Sequence, residues 1–407
     1  MDGWPGIDRK SIMRYSGLVD RINVAGSNAW ELHSAGARRQ RTGEDIILLS
    51  IGDHEFDTPA PIVDTAVASL RNGRHHYVPA GGDHRLRDTI ARHHEADTGI
   101  STDRSHIVVL PGAQCGLFCV AACLFESGDE VLVTAPMYAT YEGTLRASGA
   151  TVVPVPLRPE NRFHLEINDL SAAIGPRTRG VLINSPHNPT GVVFSCAELQ
   201  AIVDICRTHD LWLISDEVYA PLTFDAPHLS PVTLADAASR TVVVSSLSKS
   251  HAMTGWRIGW VVAPPTLAGH IENLAGYMLF GVPPFVQDAA VFALDDAPGE
   301  CGEIRERYRM RRDLVCDRLS KLPTIRFHRP EGAMYVMIDI RATGLSSLEF
   351  AWGLLDSQGL SLLPGEGFGE AGAGHVRFSL SAPESVLAAA VDRLDAYLCG
   401  LSLPRAG

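Results

Sequence analysis

Short apolar runs alternate with amphipathic stretches along most of the chain. IILLSIG (46–52), HIVVLPG (106–112), EVLVTAP (130–136), TVVPVPL (151–157), RGVLINS (179–185), LWLISDE (211–217) and TVVVSS (241–246) have the length and β-branched content of strands. Between most of them, segments 61–72, 83–97, 113–126, 138–148 and 196–208 carry helical patterning. This rhythm predicts an α/β domain built on a mostly parallel sheet. Ligands of such sheets sit at the carboxyl ends of the strands. Several of the predicted strands run there into polar loops bearing glycine or proline: PGAQ, APMY, NSPHNPTG, SDEVY and SSLSK.

Beyond residue 285 the rhythm changes. A long helix rich in Arg and Glu is expected over 299–321, then a strand-like MYVMIDI (334–340), a helix over 347–358, a strand-like HVRFSLS (375–381) and a last helix over 383–399. The expected organisation is an N-terminal arm at 1–45, a large domain at 46–285 and a smaller α+β domain at 286–407, against which the arm packs.

The chain has 407 residues, which suits two or three domains, and no internal repeat. Its net charge of -12 argues against nucleic acid or an anionic membrane surface as the main partner. The first residues hold no apolar run of the kind a secretory signal needs, and the strand-sized apolar runs are too short to span a bilayer. Eight cysteines without a CxxC pair indicate neither a disulfide framework nor a zinc or other metal site. Cys115, Cys119 and Cys123 share one helix face, where buried packing is expected. A reducing cytoplasm fits this usage.

One count changes the picture. The 35 basic residues include only three lysines, Lys10, Lys249 and Lys321. A lysine kept among so many arginines is a candidate for chemistry that a guanidinium cannot do, such as forming an imine. Lys10 lies in the polar arm and Lys321 closes an arginine-rich helix, so both read as solvated charges. Lys249 lies in SSLSKSHAMTGWRIGW, between a strand and a glycine–tryptophan run.

Other strand ends carry matching chemistry. Ser246 and Arg257 flank Lys249 with a hydroxyl and a guanidinium suited to phosphate oxygens. Asp216 and Tyr219, in LISDEVYA, place a carboxylate and a phenol at the end of a strand; a helix cap with a packed tyrosine would read the same way. Asn188, in NSPHNPTG, sits in a tight turn with a cis bond to Pro189 open to it; its amide suits a donor to a ligand oxygen, with a plain loop as the alternative. Gly112, Ala113 and Gln114 join a strand to a helix whose first N–H groups suit an anion, a turn common in α/β proteins. Tyr138 can stack on a ring or simply fill the core. Arg377, in an apolar segment, suits either a carboxylate ligand or a structural ion pair.

Taken together, these strings resemble the fold-type I aminotransferases of class I and II. The likeness runs from SIGDHEFDTP at 50–59 to HVRFSLS at 375–381, and SLSKSHAMTGWR, NSPHNPTG and SDEVY are specific in combination. The resemblance implies a large domain with a mostly parallel sheet plus a smaller α+β domain, and pyridoxal 5'-phosphate (PLP) as cofactor. It implies Lys249 as the Schiff-base lysine and Asp216 as partner of the pyridine nitrogen. Asn188 and Tyr219 become ligands of the ring 3-oxygen, and Tyr138 the stacking ring. Gly112, Ala113, Gln114, Ser246 and Arg257 become the phosphate cradle. Arg377, with Asn188 and the backbone at Gly52, becomes the clamp on the substrate carboxylate. Tyr77, in HHYVPAGGDHRLR, matches a tyrosine that reaches the neighbouring subunit's phosphate, which implies a homodimer with shared sites.

Within the family, GAQC, MYATYE, VLINSPHNP and SLSKSHAMTGWR are most similar to bacterial arginine–pyruvate transaminases. That likeness implies ping-pong transfer from an L-amino acid, arginine, to a 2-oxo acid, pyruvate. An arginine oxidase or hydroxylase, or a β-lyase, would use the same fold and lysine. A non-enzymatic ligand-sensing module is disfavoured by the acidic charge and by the short segment before residue 46. The loop that commonly reads G-[DE]-P-x-F is here Gly52-Asp53-His54-Glu55-Phe56, with His54 in place of proline. Residues 271–290, which supply a neighbour's pocket in this family, contain no Lys or Arg, and Gln114 stands where some dicarboxylate-specific relatives carry lysine. Both disfavour aspartate as donor. Glu31, Asp53 and Glu55 are the candidate partners of a cationic side chain.

Overall fold

A computed structural model describes residues 14–23 and 27–401. Lys10 lies outside the described residues. Seven strands form the central sheet, in the order Ile107–Leu110, Gly259–Val262, Thr241–Ser246, Trp212–Asp216, Thr178–Asn184, Glu130–Ala135, Thr151–Pro156. The last five are parallel to one another. Gly259–Val262 pairs antiparallel with both of its neighbours, so it alone runs against the other six.

Both faces of this sheet are covered, which is why its strands read as continuous apolar runs. Successive side chains point to opposite faces. Val242 and Val244 enter a core with Leu117, Val120, Leu267 and Ile271 from two helices. Val243, between them, packs with Ile62, Leu86, Ile90 and Val286 from three others. Each such buried side chain contributes roughly 1.5–3 kcal/mol relative to exposure. Helix starts follow local chemistry. Ser195 with Glu198, and Ser346 with Glu349, form reciprocal capping boxes that open the helices Cys196–Thr208 and Ser347–Gln358.

After residue 298 a four-stranded antiparallel sheet, ordered Leu363–Pro364, His375–Ser379, Tyr335–Asp339, Arg326–Phe327, packs with the helices Pro298–Leu319, Ser347–Gln358 and Glu384–Gly400. Leu32 of the Ser27–Arg41 helix and Leu49 enter the same core as Val336, Phe350, Phe378 and Leu387.

Two expectations about elements are corrected. The apolar run 46–52 is not a strand of the central sheet: only Ile47 and Leu48 pair, parallel to Leu360 and Ser361. Its backbone bonds go to the Gly359 and Ser361 carbonyls, because periodicity reports burial and not which sheet does the burying. Gly259–Val262 reads as part of a glycine–tryptophan run, yet it is a strand made so by neighbours on both sides. The helices Pro265–Met278 and Pro284–Asp295 also went unassigned; the second packs against Ala60–Arg71. Among the described residues no helix is long and apolar enough to cross a membrane.

Candidate active site

Six strands end on one edge of the central sheet, and the reversed strand begins there. Arg257, just ahead of Gly259, is therefore brought to the edge where Gly112, Tyr138, Asn188, Asp216 and Ser246 lie after or at the ends of their strands. One cavity of about 180 Å³ opens at this edge. Ala113, Gln114, Tyr138, Asn188, Asp216, Tyr219, Ser246, Lys249 and Arg257 all line it.

Lys249 is half-buried, and its Nζ donates to the Gly52 carbonyl at 2.5 Å. Glycine is required at 52, where a Cβ would lie 1.9 Å from the Tyr335 hydroxyl. Asp216 is buried at the end of its strand. Tyr141 Oη donates to its Oδ2 at 2.6 Å and the Val218 N–H to its Oδ1 at 3.2 Å. Burial nevertheless pushes its carboxyl up to about 6, since among the described residues no cation pairs with it. The next residue makes the contrast. Burial also acts to raise Glu217, but His228 and the hydroxyls of Ser230 and Ser215 hold it below its ordinary value.

The turn expected to hold an anion needs its glycine. Gly112 has φ +83°, and a Cβ there would come within 2.4 Å of Arg257 Nη2. It gives the Ala113–Leu124 helix no side-chain cap, so the first N–H groups are left for a ligand. Arg257 is held over this turn by bonds to the Thr254 and Pro111 carbonyls, at 2.7 and 3.3 Å. The Gln114 side chain is spent elsewhere: it accepts from Thr140 at 2.6 Å and donates to Thr144 at 2.7 Å. Gln114 thus offers the cradle its backbone only.

Arg377 is buried in the His375–Ser379 strand. It donates to Asn188 Oδ1 and to the Ser50 carbonyl, both at 2.8 Å. Its guanidinium carbon sits 4.1 Å from the Tyr335 ring centre and 4.7 Å from that of Phe368. Among the described residues no carboxylate pairs with it, and its buried Nε has no partner. The structural ion pair is therefore not found. Asn188 spends its amide oxygen on Arg377, which leaves its NH2 group to donate elsewhere. The Asn188–Pro189 bond is cis.

Gly52, Gly112 and Arg377 are not on the cavity lining but each contacts a residue that is: Gly52 meets Lys249, Gly112 meets Arg257 and Arg377 meets Asn188. Two further expected residues stand apart. Tyr77 is 86 % exposed and outside the cavity, with its ring against Phe280. Glu55 is paired with buried Arg311, which takes it from the acids open to a cationic substrate; Glu31 and Asp53 stay exposed. Two residues escaped the sequence reading. Tyr141 holds Asp216, and its only signal was a second tyrosine three positions after Tyr138. Tyr335 meets the Tyr219 hydroxyl at 2.8 Å, but in MYVMIDI it reads as one more strand residue.

A family model described as aminotransferase class I and II matches residues 44–394. Among characterised relatives, arginine–pyruvate transaminase AruH of Pseudomonas aeruginosa is 51% identical over 90% of this chain and 94% of its own length. An aspartate aminotransferase of Pyrococcus horikoshii is 34% identical over 88% of this chain and 92% of its own. The structure of Thermus thermophilus aspartate aminotransferase with maleate superposes with a TM-score of 0.90 at 30% identity, covering 95% of this chain and all of that one.

Proposed function

This chain belongs to the class I and II aminotransferases, PLP enzymes, and we propose that it moves the amino group of arginine to pyruvate, with Lys249 as the cofactor lysine. The observation that carries the chemistry is a single cavity lined both by the half-buried Lys249 and by Asp216, a buried carboxylate with no cation paired to it among the described residues. The likeness to AruH supports the substrate pair.

The residues fit the cofactor. Asp216, Tyr219 and the Asn188 amide match a ring nitrogen and a ring oxygen, and Tyr138 offers an apolar face. The uncapped helix start, Ser246 and Arg257 match a phosphate, in a turn where a Cβ at Gly112 would not fit. When bound, PLP supplies an electron-withdrawing ring that accepts the electron pair left as the substrate loses its α-proton.

The chain does the rest. Arg377 pairs with the substrate carboxylate, held at the correct angle by Asn188 and the Ser50 carbonyl. Asp216 keeps the ring nitrogen protonated, and Tyr141 keeps Asp216 in place. The Lys249 amine, when it does not hold the cofactor, would take the substrate's α-proton and return it to the carbon on the far side of the transferred nitrogen. Tyr77, exposed with Phe280, reaches the phosphate of a second copy, so the working unit is a homodimer. A cytoplasmic location suits the eight unbridged cysteines.

Single-turnover absorbance tests this reading. Arginine alone should convert the bound cofactor to its aminated form, and pyruvate should restore it. Lys249→Ala should lose both the lysine-bound absorbance and turnover, by about 10⁴-fold or more if it acts as general base and anchor. Conversion by other amino acids but not arginine overturns the substrate; a fully active Lys249→Ala overturns the site.

A further inference from the structure

The turn at 52–56 touches the lysine from two sides. One contact is Lys249 Nζ on the Gly52 carbonyl. The other comes from His54, whose Nε2 lies 3.1 Å from the carbonyl oxygen of Ser248, the residue just before the lysine. A carbonyl can only accept, so Nε2 carries the ring proton and Nδ1 is the acceptor. Tyr308, on the Pro298–Leu319 helix, donates to that Nδ1 at 2.9 Å. Both ring nitrogens are therefore engaged, and the tautomer follows from the two partners. The rings of Phe56 and Tyr308 pack on the imidazole at 5.3 and 5.6 Å between centres.

The charged and titratable groups around His54 are Lys249, Asp53, Arg311 and Tyr308. Burial, then the Lys249 charge, hold the ring down to about 4, against the Ser248 bond and Asp53, which act to raise it. The imidazole is thus neutral near pH 7, and its donor does not titrate there.

We propose that His54 is a positioning residue for Lys249, tying the backbone that carries the amine to Tyr308 on the Pro298–Leu319 helix. This rests on Lys249 being the cofactor lysine. An amine that leaves the Gly52 carbonyl gives up one of the two contacts between the turn and Ser248–Lys249. The His54 bond is the one that persists. It keeps the base of a long, flexible side chain fixed while its tip changes partners, and misplacing a reacting group by about 1 Å can cost 10²-fold in rate. Proline, common at this position in the family, has neither the donor nor the acceptor.

Variants at 54 test it. His54→Gln keeps an acceptor and a donor on one carbon, as Nδ1 and Nε2 are. His54→Leu keeps bulk and loses both. Two quantities are read: the rate at which apoprotein mixed with PLP gains the lysine-bound absorbance, and kcat with KM for the amino donor. His54→Leu should slow both rates by about ten-fold, with KM within about two-fold, and His54→Gln should restore them to within about three-fold of wild type. Tyr308→Phe leaves His54 in place and should cost about three-fold, a check that survives if the leucine variant does not fold. Equal behaviour of the Leu and Gln variants, whether active or impaired, or a Tyr308→Phe without effect, overturns the proposal. A wild-type protein that gains no such absorbance overturns the lysine assignment, and this proposal with it.

Discussion

Arg311 and Arg377 are both almost fully buried, and they meet opposite surroundings. Arg311 has two carboxylates against it, Glu55 and Glu384, and lies over the Phe56 ring. Arg377 has an amide oxygen, a backbone carbonyl and two aromatic faces, but no carboxylate among the described residues. A buried charge without a counter-ion costs several kcal/mol. Folding completes the Arg311 corner. The Arg377 corner has no such partner, and on the proposed function the carboxylate of an amino acid or a 2-oxo acid would complete it. Asp216 and Glu217 repeat the contrast one residue apart: Glu217 is satisfied by the chain, Asp216 waits for a cation.

The most demanding test of this contrast is Arg377→Met. It should lower kcat/KM for every 2-amino acid by about 10²–10³-fold, since a desolvated carboxylate loses its partner. The same variant should leave the melting temperature of the apoprotein unchanged or raised, because it removes an unpaired buried charge. A large loss of stability with intact kcat/KM would break the comparison.

Next in size is the pH response of Asp216. Its folded carboxyl sits at about 6, above the ordinary 3.8. The folded state therefore holds this proton more tightly than the unfolded state. The stability it contributes is full below about pH 4 and is lost as pH rises through about 6, at most about 3 kcal/mol for a shift of two units. Denaturant melts of apo wild type against apo Asp216→Asn, which has no carboxyl to titrate, should show wild type losing stability relative to the variant over that window. Bound PLP should flatten it.

Arg311→Met should do the reverse of Arg377→Met. It leaves Glu55 and Glu384 without their cation and should cost about 2 kcal/mol of stability, water at the half-exposed Glu384 offsetting part of the loss. KM for substrates carrying a carboxylate should move less than in Arg377→Met. The smallest effect is Tyr141→Phe. It takes one donor from Asp216 and should cost about 1 kcal/mol in PLP affinity, read by cofactor titration.

Much of this was legible before any coordinates. The rarity of lysine singled out Lys249, and strand-end chemistry singled out Asp216, Asn188 and Arg257, because a residue's chemistry and its place after an apolar run are both local. Tyr141 was not legible. Its hydroxyl matters only because Asp216, 75 positions away, lies 2.6 Å from it. Gly259–Val262 was not legible either, since four residues carry too little pattern to reveal pairing on both sides. That strand's reversal is what carries Arg257 to the site.

The sequence by itself determined which chemical groups are available and that they follow the strands of an α/β sheet. It could not decide which groups are already spoken for. Glu55 and Asp53 look alike as candidate partners of a cation, and Arg377 reads as either a carboxylate ligand or half of a structural ion pair. Glu55 is 256 positions from the arginine that takes it, and Asn188 is 189 from Arg377. Ion pairs and hydrogen bonds depend on distance and desolvation in space, and only the tertiary packing sets those.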